Sequence, residues 1–433
     1  MSTRLRSLTS GRVKTEAIAG ITTFFTMAYI VVVNPAILAT QGTGLSFSGV
    51  LTATVLLSFL MTLFMGLYAK LPYAVAPGMG INAFFTFTLI LGQGVPWPAA
   101  LGMVFWAGAL FVLISVTPLR VAIARAIPHN LRVAAAAGIG IFLTFIGLKN
   151  AGFVEADAVT FVKFGKLGFE ELLCILGIVI TVLLMSRKNP LAFLGGIFAV
   201  TGIAMASGLI AAPAQVFSAP DFKSVFLKLD IWGALKLAYA PAIIAILFTD
   251  LFDSISTFIG VSQATGLVDK KGDPQNLKEG LVVDAFATLG AGLFGTSSGT
   301  AYIESAAGIE MGGRTGLTSV FTALCFLPCF FIAPLAGMVP AYATAPVLII
   351  VGALMFRCVT SLDLKRLEDT LPAFLTVILI PLTFSITQGI LWGFISHVGL
   401  YVVAGRRREV KPMMFAIAIV SIGLLLVERL HRI

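Results

Sequence analysis

Residues 71–87, LPYAVAPGMGINAFFTF, lie in a stretch apolar enough for a membrane, yet Pro72, Pro77, Gly78 and Gly80 interrupt any regular helix before Ile81 to Phe87 resume it. Residues 295–308, GTSSGTAYIESAAG, break a second apolar stretch with Gly, Ser and Thr. Backbone that leaves the helix at membrane depth must find protein or a wet cavity for its N–H and C=O groups. Gly78 and Gly299 are about 221 residues apart, and the first and eighth apolar stretches begin about 224 apart, so the breaks hold matching places in two halves of the chain. Small residues also serve plain helix packing. Two breaks at one internal period instead mark a binding site at the meeting of two repeats. Small residues at Ala76 to Asn82 and Thr296 to Ala301 would let short extended strands approach each other.

The composition supports this frame. Of 433 residues, 58% are hydrophobic and 11% charged, and the mean hydropathy is +1.01. Apolar spans fall at about 15–41, 46–69, 71–92, 98–118, 132–149, 168–186, 190–209, 239–263, 278–296, 298–312, 314–337, 340–360, 367–386 and 388–405. The chain therefore reads as an all-α polytopic membrane protein with about fourteen transmembrane segments, arranged as a 7+7 inverted repeat with short paired strands in segments 3 and 10. A net charge of +9 in a soluble protein would suggest nucleic acid. Here most Lys and Arg, including Arg4 to Lys14, Lys70, Arg120, Arg125, Arg132, Lys270, Lys271, Lys278, Arg314 and Arg406 to Arg408, cluster at alternate loops. That pattern sets the N-terminus in the cytoplasm and leaves no nucleic-acid surface. Residues 412–430 add one more apolar stretch, spanning or interfacial, which would carry Arg429 and Arg432 outward if it crossed.

Asp250 and Asp253 sit three apart in LFTDLFDSISTF, residues 247–258. On a helix they share a face, with Cβ atoms about 5–6 Å apart. Glu304 follows the second break directly. A charge at this depth costs about 2.5–3.5 kcal/mol on insertion scales and marks a pathway or a relay by default. The three carboxyls, with no intramembrane Lys or Arg to neutralise them, are read as the proton-coupling groups Asp250, Asp253 and Glu304. Asn82 offers amide groups to the same region, and Phe84 and Phe85 offer flat faces. A planar heterocycle whose ring N–H groups donate to carboxylates would suit them. The candidate binding set is Asp253, Glu304, Asn82, Phe84, Thr26, Ala301 and Thr300, with Gly78, Gly80 and Gly299 supplying close backbone approach. Thr23 and Asn34 add polarity to the first span. Asp284 is read as a partner for Lys278, Arg314 as a boundary anchor, and His397 as a helix–helix contact. Cys174, Cys325, Cys329 and Cys358 form no metal-binding pattern, and no cofactor is implied.

In TTFFTMAYIVVVNP, APGMGINAFF, TDLFDSISTFIGV, GTSSGTAYIESAAG and GGRTGLT, over nearly the whole chain, the sequence resembles the AzgA-like purine permeases of the nucleobase–ascorbate transporter superfamily. The resemblance implies a uracil-permease-like fold. A core would comprise residues 15–125 and 239–337, a gate residues 126–210 and 338–405, with 406–433 a C-terminal segment. It also implies proton-coupled uptake of a purine nucleobase across the cytoplasmic membrane by an elevator-like movement. Guanine and hypoxanthine are favoured by the APGMGINAFF form, with adenine a further candidate. Against the uracil permeases, the resemblance implies that the eighth-span acid corresponds to Asp250 and the tenth-span acid to Glu304; within the purine branch Asp253 is the more characteristic carboxylate. A sliding core needs a fixed partner surface, which a homodimer would supply.

Three rivals are open to argument. An intramembrane aspartyl protease needs two acids from separate helices, whereas Asp250 and Asp253 share one. A sulfate or bicarbonate carrier of this fold would set an anion against three carboxyls, a repulsion of several kcal/mol at low dielectric. Sodium could replace the proton as coupling ion.

Overall fold

The computed structural model describes residues 10–117, 126–268 and 274–431. The topology expectations for Arg4, Arg6, Arg120, Arg125, Lys270, Lys271 and Arg432 fall outside them. Among the described residues nine helices are long and apolar enough to cross a membrane, and three shorter apolar helices join them.

The first half comprises α1 (Ser10–Met27), α2 (Ile30–Leu38), α3 (Phe47–Phe64), β1 (Val75–Pro77), α4 (Met79–Ala83), α5 (Trp97–Val116), α6 (His129–Asn150), a hairpin of β2 (Val154–Asp157) and β3 (Phe161–Phe164), α7 (Phe169–Ser186) and α8 (Ala192–Ala206). The second comprises α9 (Ala240–Thr265), α10 (Leu277–Phe294), β4 (Gly299–Ala301), α11 (Ser305–Glu310), α12 (Gly316–Phe326), α13 (Ala333–Gly337), α14 (Ala341–Phe356), α15 (Leu367–Thr383) and α16 (Ile386–Val403). A last helix, α17 (Pro412–His431), follows. Two helices widen into π-helical turns, α3 over Met65–Ala69 and α4 over Phe84–Gly92.

The interrupted segments are half-helices preceded by strands. β1 and β4 pair antiparallel, with Val75 opposite Ala301, Ala76 opposite Thr300 and Pro77 opposite Gly299. Backbone bonds from Gly78 to Ser298 (2.8 Å) and from Tyr302 to Ala74 (2.9 Å) extend the ladder at both ends. A two-stranded ribbon has only edges, so it tolerates Pro77, which has no N–H to give. At Gly299 a Cβ would lie 2.8 Å from Ala287 Cβ, so the absent side chain lets β4 lie on α10. Gly80 does the same for α4 against α6, where a Cβ would meet Ile139 Cγ2 at 2.5 Å.

The helices pack chiefly within two groups. One holds α1, α2, α3, α5, α9, α10, α11 and α12; the other holds α6, α7, α8, α14, α15 and α16. Tertiary caps close several ends inside the first group. Buried Glu16 of α1 accepts from Thr318 Oγ1 and from the Arg314 and Thr315 amides at 3.4 Å, which satisfies the start of α12. Arg314 Nη1 donates to Thr265 O at 2.7 Å, so this expected boundary residue closes the last turn of α9.

Between the halves, Asp221 accepts from Ser48 Oγ at 2.9 Å and its amide donates to Thr52 Oγ1 at 2.9 Å, pinning the connector to the first two turns of α3. Burial acts to raise its pKa, but donors from Ser224, Ser48 and the Lys223 and Ser224 amides outweigh that and hold the carboxyl at about 2. α17 lies along α16, and Gln388 Nε2 near the start of α16 donates to Glu428 Oε2 near the end of α17 at 2.9 Å. The two therefore run antiparallel over the same depth.

Candidate functional site

Strand β4, α9 and α10 bring the acidic side chains together. Asp250, Asp253, Ser254 and Thr257 follow one another along α9 at the spacing of a helical face. Asp284 and Thr288, one turn apart on α10, meet them beneath β4. Thr288 Oγ1 donates to Asp250 Oδ2 and lies 3.0 Å from Gly299 O. Ser254 Oγ donates to Asp284 Oδ2 and lies 3.2 Å from Thr300 Oγ1, while the Ala301 amide donates to Asp284 Oδ1 at 2.7 Å. Asp250 and Asp284 are wholly enclosed. Among the described residues, Asp250 Oδ1 and Ser298 Oγ have no hydrogen-bond partner.

Asp253 and Glu304 are only partly buried, and both face one narrow cleft of about 80 Å³. Gly80 of α4, Thr300 and Ala301 of β4, and Tyr29 line it from the side of the strand pair and the first helix group; Val351 and Met355 of α14 line it from the second. The cleft thus lies where the two groups meet. Tyr29 OH donates to Glu304 Oε1 at 2.7 Å. Thr26 Oγ1 bonds chiefly its own helix at Thr23 O (2.8 Å) and reaches Glu304 O only at 3.5 Å.

Of the residues singled out in the sequence, Asp253, Glu304, Thr300, Ala301 and Gly80 line the cleft together. Asn82 and Phe84 do not. Asn82 is fully buried and accepts from Ser297 Oγ, so it ties the two interrupted segments to each other. Phe84 and Phe85 are buried core side chains. Gly78 and Gly299 belong to the strand ladder beside the cleft. Asp284 is a correction: it bonds Ser254 and Ala301 and makes no ion pair with Lys278. Six residues along a helix turn through about 600°, which points the two side chains to different faces. Tyr29 was unsignalled, being one tyrosine in a strongly aromatic chain; its place between Thr26 and Asn34 was the available clue. His397 lines a separate cavity of about 700 Å³ with Arg132, Lys278 and Asp369, and its ring lies 4.6 Å from that of Tyr401.

A stapled strand pair, half-helices and acidic groups at the meeting of two helix groups suit a carrier, and the sequence comparison decides the point: residues 14–391 match the model of the Permease family, Xan_ur_permease. The chain belongs to that family. It is 41% identical to the adenine permease AdeP of Escherichia coli (strain K12) over 410 residues, 94% of this chain and 92% of that one. It is 40% identical over 416 residues to the guanine/hypoxanthine permease PbuO of Bacillus subtilis (strain 168), covering 94% and 96%. Among solved structures, the transmembrane domain of the cyanobacterial bicarbonate transporter BicA superposes with a TM-score of 0.66 at 17% identity, over 89% of this chain and 98% of that domain. That likeness establishes the fold alone. This permease is a multi-pass membrane transporter and not an enzyme. Asp250 and Asp284 do approach from separate helices, but both are sealed from solvent, and a peptide could not reach them.

Proposed function

We propose that the protein carries a purine nucleobase into the cell together with a proton. The observation that carries this reading is that Asp253 and Glu304, both from the second repeat, line one cleft with Tyr29 and Gly80 of the first at the junction of the two helix groups. A purine presents ring N–H groups to carboxylates, and the Asp253 and Glu304 carboxylates border the cleft. Relatives named for adenine and for guanine/hypoxanthine, at 41% and 40% identity, support the purine class without separating its members. The APGMGINAFF form of residues 76–85 still favours guanine and hypoxanthine.

Proton coupling is supported by donor accounting. Thr288 has one hydroxyl proton and faces two acceptors, Asp250 Oδ2 and Gly299 O. A proton on Asp250 would complete a chain from Asp250 through Thr288 to Gly299, giving this enclosed carboxyl a reason to take one up. The first helix group serves as the moving core and the second as the gate, with the N-terminus and the Arg406 to Arg408 end in the cytoplasm. Glu304 and Asp253 hold the purine while the core slides.

Uptake of radiolabelled hypoxanthine by a purine-transport-deficient strain, with and without a protonophore, tests the reading. Saturable uptake that collapses with the protonophore is expected. Uptake indifferent to the protonophore and dependent on Na⁺ would transfer the coupling to sodium. No uptake of any purine would refute the substrate class.

A further inference from the structure

We propose that Tyr29 is a positioning residue: it aims Glu304 at the purine, and through Phe193 it makes that aim depend on how the core sits against the gate. The inference rests on the purine reading of the cleft. Tyr29 lies in the break between α1 and α2, and its carbonyl accepts two amides of the first turn of α2, from Val32 at 3.0 Å and Val33 at 2.9 Å. The backbone is thereby anchored, and the side chain, 1% exposed, has little freedom.

The two ends of that side chain touch different bodies. Its hydroxyl donates to Glu304 Oε1 at 2.7 Å, inside the core. Its ring packs 4.7 Å from the ring of Phe193 on α8, in the gate, with the planes inclined at 52°. Among the described residues no other side chain is hydrogen-bonded to the Glu304 carboxylate. A glutamate has several rotatable bonds, so an unheld carboxylate would meet the purine in many orientations and bind it at an entropic cost. Tyr29 fixes one oxygen and so sets the direction of the other. Once the core slides, α1 and α8 part, the ring loses Phe193, and the grip on Glu304 loosens where the purine has to leave.

Tyr29→Phe keeps the ring and removes only the donor, which makes the test selective. Hypoxanthine uptake by wild type, Tyr29→Phe, Phe193→Ala and the double variant is compared at equal membrane abundance. Loss of a hydrogen bond to a charged group is expected to raise KM about tenfold while Vmax stays within about twofold. Phe193→Ala should raise KM in the same direction by less, and the double variant should match Tyr29→Phe, since Phe193 acts through the hydroxyl. A Tyr29→Phe variant with wild-type KM, or effects of the two changes that multiply, would overturn the inference. Should Tyr29→Phe fail to reach the membrane, an unchanged KM in Phe193→Ala overturns it equally. Absence of uptake in wild type would bring down the purine reading itself, whereas normal wild-type uptake with an indifferent Tyr29→Phe removes only this role.

Discussion

Glu304 and Asp253 are the two acids that touch the cleft, and Asp250 and Asp284 stand behind them with no access to it. Their roles should separate accordingly. Glu304→Gln keeps size and removes charge, so hypoxanthine uptake should vanish while membrane abundance, read by immunoblot, stays normal; near-normal uptake would remove Glu304 from the site. Asp284→Ala should act on stability as well, because it leaves the Ala301 amide unpaired in a sealed interior and the Ser254 hydroxyl with Thr300 alone. The cost is about 1–3 kcal/mol, visible as a lower melting temperature in detergent, and an unchanged melting temperature would show that water replaces the carboxylate. The acids at 250, 253 and 304 were legible because unpaired charges stand out in apolar sequence. The error over Asp284 came from weighing nearness along the chain above direction around the helix. Asn82 and Phe84 lie in the right segment, but sequence spacing cannot tell a side chain that faces the cleft from one that faces the other repeat.

The paired strands make the cleft possible, and glycine makes the pairing possible. Gly299→Leu would drive a side chain into Ala287 and Leu57, whose Cδ2 lies 3.1 Å from the Cβ position. Overpacking of this kind costs about 1–3 kcal/mol. Gly260→Ala on α9, with nothing within 4 Å, serves as the neutral control. Equal melting temperatures for the two variants would contradict the strand geometry. The connector offers a pH test. The Asp221 carboxyl sits near 2, below its unfolded value, so its stabilisation is present above about pH 4 and lost as pH falls toward 2. Wild type should melt above Asp221→Asn at neutral pH, and the gap should close between about pH 4 and 2; a gap constant across that range would count against the Ser48 and Ser224 contacts. The broken segments could be found from their Gly, Pro and Ser content and their internal period. The register of β1 on β4 could not, since three-residue strands carry no alternation to read, and the π-helical turns leave no mark in composition.

Across the whole molecule, the division into two helix groups carries the mechanical part of the proposal. It was expected from the resemblance, because hydropathy finds spans without saying which of them pack together. α4, tied to the first group through β1 and α2, and α6 of the second supply a direct probe, since the Cβ position of Gly80 lies 3.8 Å from Ile139 Cβ, the spacing of a disulfide. With the four native cysteines replaced, a Gly80→Cys, Ile139→Cys pair should cross-link on oxidation and then take up less purine than the same variant kept reduced, which is the reference because Gly80 borders the cleft. Equal uptake by the cross-linked and the reduced protein would mean that the two groups do not slide.

The most direct measurement of the central claim is an experimentally determined structure of the protein with hypoxanthine bound. The account predicts one planar molecule beneath β1 and β4, within hydrogen-bond distance of both the Asp253 and Glu304 carboxylates. A purine resting elsewhere, with either carboxylate out of reach, would contradict it.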